Sequence, residues 1–267
     1  MSGKYDLAFS IGQACACSTT LRAARLQFAS FPFDWLGRAS LKERVSVLVR
    51  RFDHWLDKDD FIYEGVNPDN GMGKFLNRRT GFIHIHDFTD GPIEQSHAEV
   101  VAKYARREKR LLGLIEKADR VLVVYLDRAR PGGNPRPTTD EIIKARADIA
   151  ASFPNAAFDI IHFIMDRDIP YDKRIVTTPA EGVTEIRFDY HNEMTEVSYT
   201  LTSKALVELG ISVRDYRTDK ERKAHKLRNQ MKKYGVNTRW GLFWAKLRAK
   251  VPLLRGRSNI TTINGGQ

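Results

Sequence analysis

In the stretch YDLAFSIGQACACSTTL (residues 5–21), an apolar run passes through one glycine into a helix-compatible segment. Residues 5–11 have the composition of a short buried strand that ends at Gly12, and residues 16–29 favour a helix. A strand that turns sharply into a helix is typical of α/β proteins. The same stretch holds both cysteines of the chain, Cys15 and Cys17.

Strand and helix patterns alternate after this stretch. Apolar runs predict strands at residues 81–88, 118–128 and 157–166, and two short ones within RIVTTP and TEIRFDYH. Amphipathic patterns predict helices at residues 40–57, 94–117 and 140–152, and turn pairs such as Asn70-Gly71 indicate a loop at residues 65–80. The alternation predicts an α/β fold, with a mostly parallel sheet and helices on both faces in a Rossmann-like three-layer arrangement. The carboxyl ends of its strands would form the ligand crevice.

The net charge of +11 is concentrated near the C-terminus. Residues 214–257 hold 15 Lys and Arg against 3 Asp and Glu, which leaves the remaining residues close to neutral. This shift in composition predicts two parts: an α/β catalytic domain at residues 1–213 and a basic, amphipathic helical tail at residues 214–267.

Cysteine content and apolar runs limit the compartment. Two cysteines separated by one residue do not make a disulfide framework, so we expect free thiols in a reducing compartment. The N-terminal residues lack the long apolar region of a signal peptide, and no run of 18 apolar residues is present. We therefore expect a cytoplasmic protein, with a peripheral position on the inner face of the membrane as a further option.

Cys15 is the candidate nucleophile. A thiol at a helix N-terminus meets the positive end of the helix dipole, which favours the thiolate, and the free N–H groups there can hold an oxyanion. Cys17 lies half a turn further into the helix, where we expect it to be packed as a small core residue. A Cys-x-Cys metal site would need further ligands that the chain does not offer, so no metal is expected.

The strand GFIHIHDF (residues 81–88) supplies the candidate base. Side chains alternate along a strand, so His84 and His86 are expected on one face and Asp87 on the other. His86 lies nearer the carboxyl end of the strand and is the candidate general base. Asp127, at the end of the apolar strand VLVVYLD, is the candidate third member because it lies at the same rim of the expected sheet.

These residues, taken in order, resemble a known family. Ser10-x-Gly12-x-x-Cys15, then PFDW (residues 32–35), HDF (residues 86–88) and a VLVVYLDR strand resemble a bacterial family of unknown function labelled putative papain-like cysteine peptidase. The resemblance covers about residues 5–165. It implies Cys15 as nucleophile, His86 as base and, as the alternative fold, a papain-like α+β arrangement in which the nucleophile opens a long helix and the base lies in an antiparallel sheet.

Nine further residues are candidates for contact with substrate. Arg107 and Arg110 share a helix face, and their guanidinium groups suit a phosphate or carboxylate on a substrate. Gly12 permits a tight turn with close approach of a ligand. The nine residues are Ser10, Gly12, Gln13, Asp34, Trp35, His84, Asp87, Arg107 and Arg110. No nucleotide-binding fingerprint is present, so no cofactor is expected, although acyl-CoA is a possible co-substrate.

The tail suggests a partner. In residues 239–254, Trp240, Phe243 and Trp244 begin an apolar helical stripe flanked by Lys and Arg, which suits a helix lying on an anionic membrane surface. A helix docked on the body or on a second subunit fits the pattern equally well. Nucleic acid is a weaker option, because no recognised binding module accompanies the charge.

Two hypotheses for the function follow. The first is an acyl-transfer enzyme with a thiol nucleophile, either a peptidase-like hydrolase or an acyltransferase. Because members of the resembling family look like proteins that sit among surface-polysaccharide enzymes, a glycan or small-molecule substrate suits the transferase. The second hypothesis is a non-catalytic protein that binds glycans or lipid headgroups at the membrane surface.

Overall fold

The structure is a computed structural model, and it describes residues 3–127, 135–166, 168–170, 173–189 and 196–250. The chain divides into two compact units, Met1–Tyr216 and Arg217–Gln267. Each unit is described by itself.

The first unit contains all the strands of the described residues. In chain order they are β1 (Gly3–Tyr5), β2 (Leu7–Ser10), β3 (Gly37–Arg38), β4 (Phe61–Val66), β5 (Gly73–Asn77), β6 (Phe82–Phe88), β7 (Arg120–Asp127), β8 (Ala157–Met165), β9 (Arg174–Ala180), β10 (Val183–Phe188) and β11 (Ile211–Val213). Its helices are α1 (Ala14–Ala23), α2 (Leu41–Val49), α3 (His97–Ile115), α4 (Thr139–Ser152) and α5 (Glu196–Glu208). Three short 3-10 helices span Pro32–Trp35, Lys58–Asp60 and Ile93–Gln95.

A five-stranded sheet forms the centre of this unit, in the order β2-β7-β8-β10-β9. Strands β2, β7, β8 and β10 are parallel, and β9 joins the edge antiparallel to β10. In β7, the alternate residues Leu122 and Val124 pack with α1 and α5, whereas Val121 and Val123 pack with α4. Helices therefore cover both faces of this sheet, and the strands are apolar on both sides, as buried parallel strands require.

The GFIHIHDF strand does not belong to the parallel sheet, and the expectation that it would is wrong. It forms β6, which lies in a separate antiparallel sheet with the order β3-β6-β5-β4. Residues 65–80, for which the sequence predicted a loop, also contain the strand β5. A short turn, in which the Gly71 N–H donates to the Asn67 carbonyl, joins β4 to β5, and strands joined so closely pair antiparallel. The fold is therefore mixed α/β, with one mainly parallel five-stranded sheet, one antiparallel four-stranded sheet and a parallel pair formed by β1 and β11.

Two helix ends differ from the sequence pattern. Helix α1 ends at Ala23 rather than near residue 29, because Arg25 adopts a left-handed conformation with φ of 60°. Helix α2 begins with the expected capping box, in which the Glu43 N–H donates to Ser40 Oγ and the Ser40 N–H donates to Glu43 Oε2. It ends at Val49, before a turn in which Arg51 and Phe52 both have positive φ.

The second unit, within the residues described, consists of α6 (Asp219–Lys233) and α7 (Arg239–Lys250). Both helices coincide with stretches that the sequence marks as helical. In the part of the chain that the structure describes, no helix is long and apolar enough to cross a membrane.

Candidate active site

Cys15 is the second residue of α1, directly after the turn that leaves β2. Gln13 is the N-cap, and its side chain makes no capping hydrogen bond. The N–H groups of the first helical turn have no intrahelical acceptor, and they carry the positive end of the helix dipole. Cys15 is partly exposed. Its thiol is therefore reachable by a reagent and lies beside donors that suit an oxyanion.

The turn itself is tightly packed around Gly12. Ser10 is fully buried, and its Oγ accepts a hydrogen bond from the Gly12 N–H at 3.2 Å. A Cβ atom added to Gly12 would lie 2.6 Å from the Leu126 backbone nitrogen and 2.8 Å from Cys17 Cβ. Gly12 is therefore required by the packing between α1 and β7, and Ser10 braces the turn. Both residues, predicted as substrate contacts, have structural partners here.

Cys17 is completely buried on the face of α1 that packs on the parallel sheet. Its Sγ donates to the Val124 carbonyl at 3.3 Å, and burial raises the pKa of this thiol to about 12. The two thiols thus have separate environments, with Cys17 in the core and Cys15 toward solvent, as the helical spacing indicated.

Arg44, which the sequence pattern did not single out, fixes the backbone around the turn. Its guanidinium is fully buried and donates to the carbonyls of Gly12 at 2.8 Å and Leu36 at 3.1 Å, and also to those of Ile11 and Ala39. Burial lowers the pKa of Arg44 to about 10. This one side chain joins the nucleophile turn to the end of the PFDW segment.

The PFDW segment forms the 3-10 helix Pro32–Trp35, and its carboxylate is turned inward. Asp34 Oδ2 accepts hydrogen bonds from Arg22 Nη2 at 2.5 Å, Gln27 Nε2 at 2.8 Å and the Phe31 N–H at 2.9 Å. Burial raises the pKa of Asp34, although Arg22 and the Phe31 N–H favour its charged form. Asp34 therefore holds this loop against α1 and does not face an open site.

One face of α1 contacts this segment. Cys15, Ser18 and Arg22 are spaced i, i+3 and i+7, so they lie along the same side of the helix. Ser18 Oγ lies 3.1 Å from both the Cys15 and the Asp34 carbonyl oxygens, and the Arg22 guanidinium carbon lies 5.4 Å from the Trp35 ring centroid. The face of α1 that bears the thiol is thus placed next to Trp35.

Trp35 in turn contacts His86. Their rings meet edge to face, with centroids 5.9 Å apart and an interplanar angle of 78°. Trp35 is half-buried and His86 is exposed. Trp35 therefore contacts both Arg22 of α1 and His86 of β6.

His84 and His86 do not share a face of β6, contrary to the expectation from strict alternation. The pairing of β5 with β6 passes from Phe75–His84 to Gly73–Phe88, so residues 85–87 of β6 oppose a single residue of β5. Such a bulge rotates the side chains that follow it. His84 is fully buried, whereas His86 reaches the surface.

The bulge turns Asp87 toward His84. His84 Nδ1 lies 2.8 Å from Asp87 Oδ2, which also accepts from Tyr104 Oη at 2.7 Å, and Lys103 Nζ donates to Asp87 Oδ1 at 2.6 Å. Burial opposes the charged carboxylate, but His84 and Lys103 outweigh it and hold the pKa of Asp87 well below its usual value. His84 and Asp87, both predicted to contact substrate, form an internal network instead.

Asn70 is the partner of His86 that the sequence pattern missed. Its Nδ2 donates to His86 Nδ1 at 2.9 Å and to the Ile85 carbonyl at 3.0 Å, while its Oδ1 accepts from the Met72 N–H at 2.9 Å. These contacts fix the orientation of the amide, so the neutral imidazole carries its proton on Nε2. The pair Asn70-Gly71 signals a turn, and nothing in its spacing marks Asn70 as a partner of a histidine.

Asp127 lies in a different cluster from His86. It is fully buried at the end of β7 and accepts a hydrogen bond from Arg136 Nε at 2.7 Å, while Arg136 Nη2 donates to the Met165 carbonyl. Burial lowers the pKa of the nearby His162 imidazole, although the negative charges of Asp127 and Glu185 oppose this effect. Asp127 was predicted as the third member because it and His86 were expected at the same rim of one sheet. His86 lies on β6, which belongs to another sheet.

Three remaining candidates lie around this region. Gln13 Nε2 lies 3.4 Å from Tyr125 Oη, so its amide is held over the end of β7. The Arg107 guanidinium carbon lies 5.2 Å from the Tyr104 ring centroid, and Arg110 Nη1 donates to the Ser30 carbonyl at 2.9 Å. Arg110 is exposed and Arg107 is half-buried, so α3 presents them beside the loop that leads into PFDW.

A comparison with known families agrees with the motifs. Residues 6–129 match the model of the family described as "Putative papain-like cysteine peptidase", a shorter segment than the residues 5–165 that the motifs suggested. The matched segment contains Cys15, the PFDW segment, Asn70 and His86, and it ends just after β7. No curated protein and no solved structure matches the chain. The family resemblance is thus confirmed over residues 6–129, which are similar to the family of putative papain-like cysteine peptidases.

Proposed function

We propose that this protein is an acyl-transfer enzyme in which Cys15 is the nucleophile. The observations behind the proposal are that Cys15 is partly exposed at the start of α1, and that Arg22, on the same helix face, contacts Trp35, which in turn contacts His86. A thiolate, free N–H donors and an imidazole at one surface are the groups that acyl transfer needs.

The chemistry would proceed in two steps. The Cys15 thiolate attacks the carbonyl carbon of an ester, amide or thioester, and the N–H groups of the first turn of α1 hold the negative oxygen. The C–O, C–N or C–S bond then breaks, and the leaving group takes a proton to leave an acyl thioester on Cys15. Attack by water releases a carboxylic acid, and attack by a hydroxyl or amine transfers the acyl group.

His86 would serve this scheme through its two ring nitrogens. In the arrangement described, Asn70 donates to Nδ1, so the Nε2–H can donate a hydrogen bond to a thiolate or to a leaving group. To accept a proton from the thiol, the imidazole must offer a lone pair, which requires the Asn70 amide to turn away. Asn70 is therefore a positioning residue that sets which proton transfers His86 can make.

The choice between hydrolysis and transfer is part of the proposal. The family description favours a peptidase-like hydrolase, whereas a sugar hydroxyl as acceptor in surface-polysaccharide synthesis rests on the earlier sequence resemblance alone. Arg107 and Arg110 are the side chains that would suit an anionic donor such as acyl-CoA. The product released from Cys15 would identify the acceptor.

The test is the intact mass of the full chain after incubation with acyl-CoA and with activated esters. We expect one acyl adduct on the wild type and on Cys17→Ala, and none on Cys15→Ser. Addition of water alone, or of sugar and amine acceptors, then shows which acceptor discharges the adduct. An adduct that forms equally on Cys15→Ser would overturn the assignment of the nucleophile.

A second candidate function is a non-catalytic binding protein. The specific observation in its favour is the same Asn70–His86 hydrogen bond, since the Nδ1 lone pair that accepts from Asn70 is not free to take the proton of Cys15. Iodoacetamide labelling separates the two functions. An exposed thiol that reacts no faster than a small free thiol at neutral pH supports the binding protein, whereas an accelerated reaction supports the enzyme.

A further inference from the structure

The second unit, Arg217–Gln267, presents a cationic surface on α6. This helix begins at a Thr218 N-cap, where Thr218 Oγ1 donates to Glu221 Oε2, and Asp219 pairs with Arg222. The acidic side chains are thus confined to the first turn. The remaining length carries the exposed cations Lys223, Lys226, Lys232 and Lys233, together with Arg228.

An aromatic pair is exposed on α7. Trp240 is 74% exposed and Phe243 is 54% exposed, and their ring centroids lie 6.0 Å apart at an interplanar angle of 79°. Leu242 is buried, so α7 has an inner and an outer side. Lys246 Nζ donates to Gln230 Oε1 at 2.6 Å, which ties α7 to α6.

Exposure of the Trp240–Phe243 pair to water is energetically unfavourable. Large aromatic side chains gain free energy when their rings leave water, and tryptophan favours the headgroup region of a bilayer, where its indole N–H can still find an acceptor. Lysine and arginine beside them are attracted to anionic lipid, and each contributes about fivefold to binding near the surface. Charge and exposed aromatic rings therefore point to the same partner.

We propose that the second unit binds the surface of an anionic phospholipid bilayer, with Trp240 and Phe243 inserted among the headgroups and the cations of α6 close to the lipid phosphates. This inference concerns the position of the protein, and it stands independently of the thiol chemistry of the first unit.

The geometry of the aromatic pair favours lipid over nucleic acid. Stacking of a base needs an open ring face. Here the edge of one ring packs on the face of the other, so the pair forms a compact wedge instead of two parallel platforms. A wedge of this kind suits insertion between lipid headgroups.

The test is flotation of the full chain with vesicles of phosphatidylcholine alone and of phosphatidylcholine mixed with phosphatidylglycerol. We expect binding only to the mixed vesicles, weakened by salt because surface charges are screened within about 8 Å at physiological ionic strength. The double variant Trp240→Ala, Phe243→Ala is expected to lose about tenfold or more in affinity. Reversal of charge at Lys226 and Arg228 is expected to lose at least as much.

The matched control removes exposed apolar side chains from the first unit. Ile175 is 52% exposed and Val176 is 42% exposed on β9, and the variant Ile175→Ala, Val176→Ala should bind vesicles like the wild type. Circular dichroism establishes that each variant is folded. Vesicle binding that survives the aromatic double variant overturns the proposal, as does binding to duplex or single-stranded nucleic acid in the absence of any binding to mixed vesicles.

Discussion

Asn70 donates a hydrogen bond to His86, which lies within the bulge at residues 85–87 of β6. The carbonyl of Ile85, inside the bulge, accepts hydrogen bonds from Asn67 Nδ2 and Asn70 Nδ2. The turn between β4 and β5 therefore satisfies the backbone that the bulge leaves outside the strand ladder, and it holds the imidazole at the surface in a defined orientation. The position of the candidate base depends on this turn as much as on its own strand.

Replacement of Asn70 by aspartate should make Cys15 more reactive. A carboxylate at this position accepts the Nδ1–H and stabilises the imidazolium, which in turn stabilises the thiolate. We expect the rate of iodoacetamide alkylation at neutral pH to rise about two- to tenfold. Asn70→Ala, which removes the donor without adding charge, should give a smaller change. A rate that falls in Asn70→Asp would contradict the role assigned to the amide.

The two cysteines should differ strongly in their reaction with alkylating reagents. Burial raises the pKa of Cys17 to about 12, so near pH 8 only about one Cys17 in ten thousand is a thiolate, and that thiolate is shielded from solvent. Mass mapping of the alkylated protein should find label on Cys15 in the folded state and on both residues in guanidinium. Label on Cys17 under native conditions would show that the packing of α1 on β7 is wrong.

Gly12→Ala should destabilise the protein by about 1–3 kcal/mol, because the added methyl group would overlap the Leu126 backbone and the Cys17 side chain. Gly113→Ala is a matched control with the opposite sign. Gly113 lies in α3, and apart from the nearby backbone of that helix no atom lies within 4 Å of the added methyl group, so the substitution should stabilise by about 0.5–1 kcal/mol. Urea unfolding measures both, and equal effects at the two positions would refute the tight packing at Gly12.

Arg44→Met should cost about 2–4 kcal/mol and impair the site, since it leaves four buried backbone carbonyls without their donor. Lys42→Met, on the exposed side of the same helix, should change the free energy of unfolding little. If Arg44→Met has the stability of Lys42→Met, the guanidinium does not organise the turn as described.

Stability should depend on pH through Asp87. Its pKa is depressed in the folded protein, so its contribution is present above the unfolded-state value of about 4 and is lost as the pH falls toward the folded-state value. Asp87→Asn should therefore be less stable than the wild type by about 2–4 kcal/mol at pH 7, and the difference should shrink below about pH 4. Denaturation curves across this range provide the measurement, and a difference that grows in acid would contradict the ion-pair assignment.

Local sequence signals predicted local structure well. The capping box of Ser40 and Glu43 depends on residues three apart, and the burial of Cys17 follows from its position on α1, so both could be derived without the fold. The sheet to which β6 belongs could not be derived, because apolar alternation reports a buried face but not the strand that pairs with it. The loss of the shared face by His84 and His86 follows from a bulge, which depends on pairing with β5.

The contacts of Arg44, Asn70 and Asp127 could not be predicted from the sequence for related reasons. Arg44 lies in a helix with several charged residues, so the sequence pattern does not predict its burial. It is buried because the turn after β2 and the end of the PFDW segment pack against it in the fold. Asn70 resembles an ordinary turn residue. Asp127 was grouped with His86 because both lie near the carboxyl ends of strands that were expected to share one sheet, and the two strands belong to different sheets.

The rate at which Cys15 is alkylated by iodoacetamide, compared between the wild type and His86→Ala, tests the central claim most directly. The matched control is His54→Ala, which removes an exposed histidine that bonds to Asp57 outside the candidate site. We predict that His86→Ala slows the alkylation of Cys15 at neutral pH by about tenfold, while His54→Ala leaves the rate unchanged. Equal rates in all three proteins would show that this thiol and this imidazole do not act on each other.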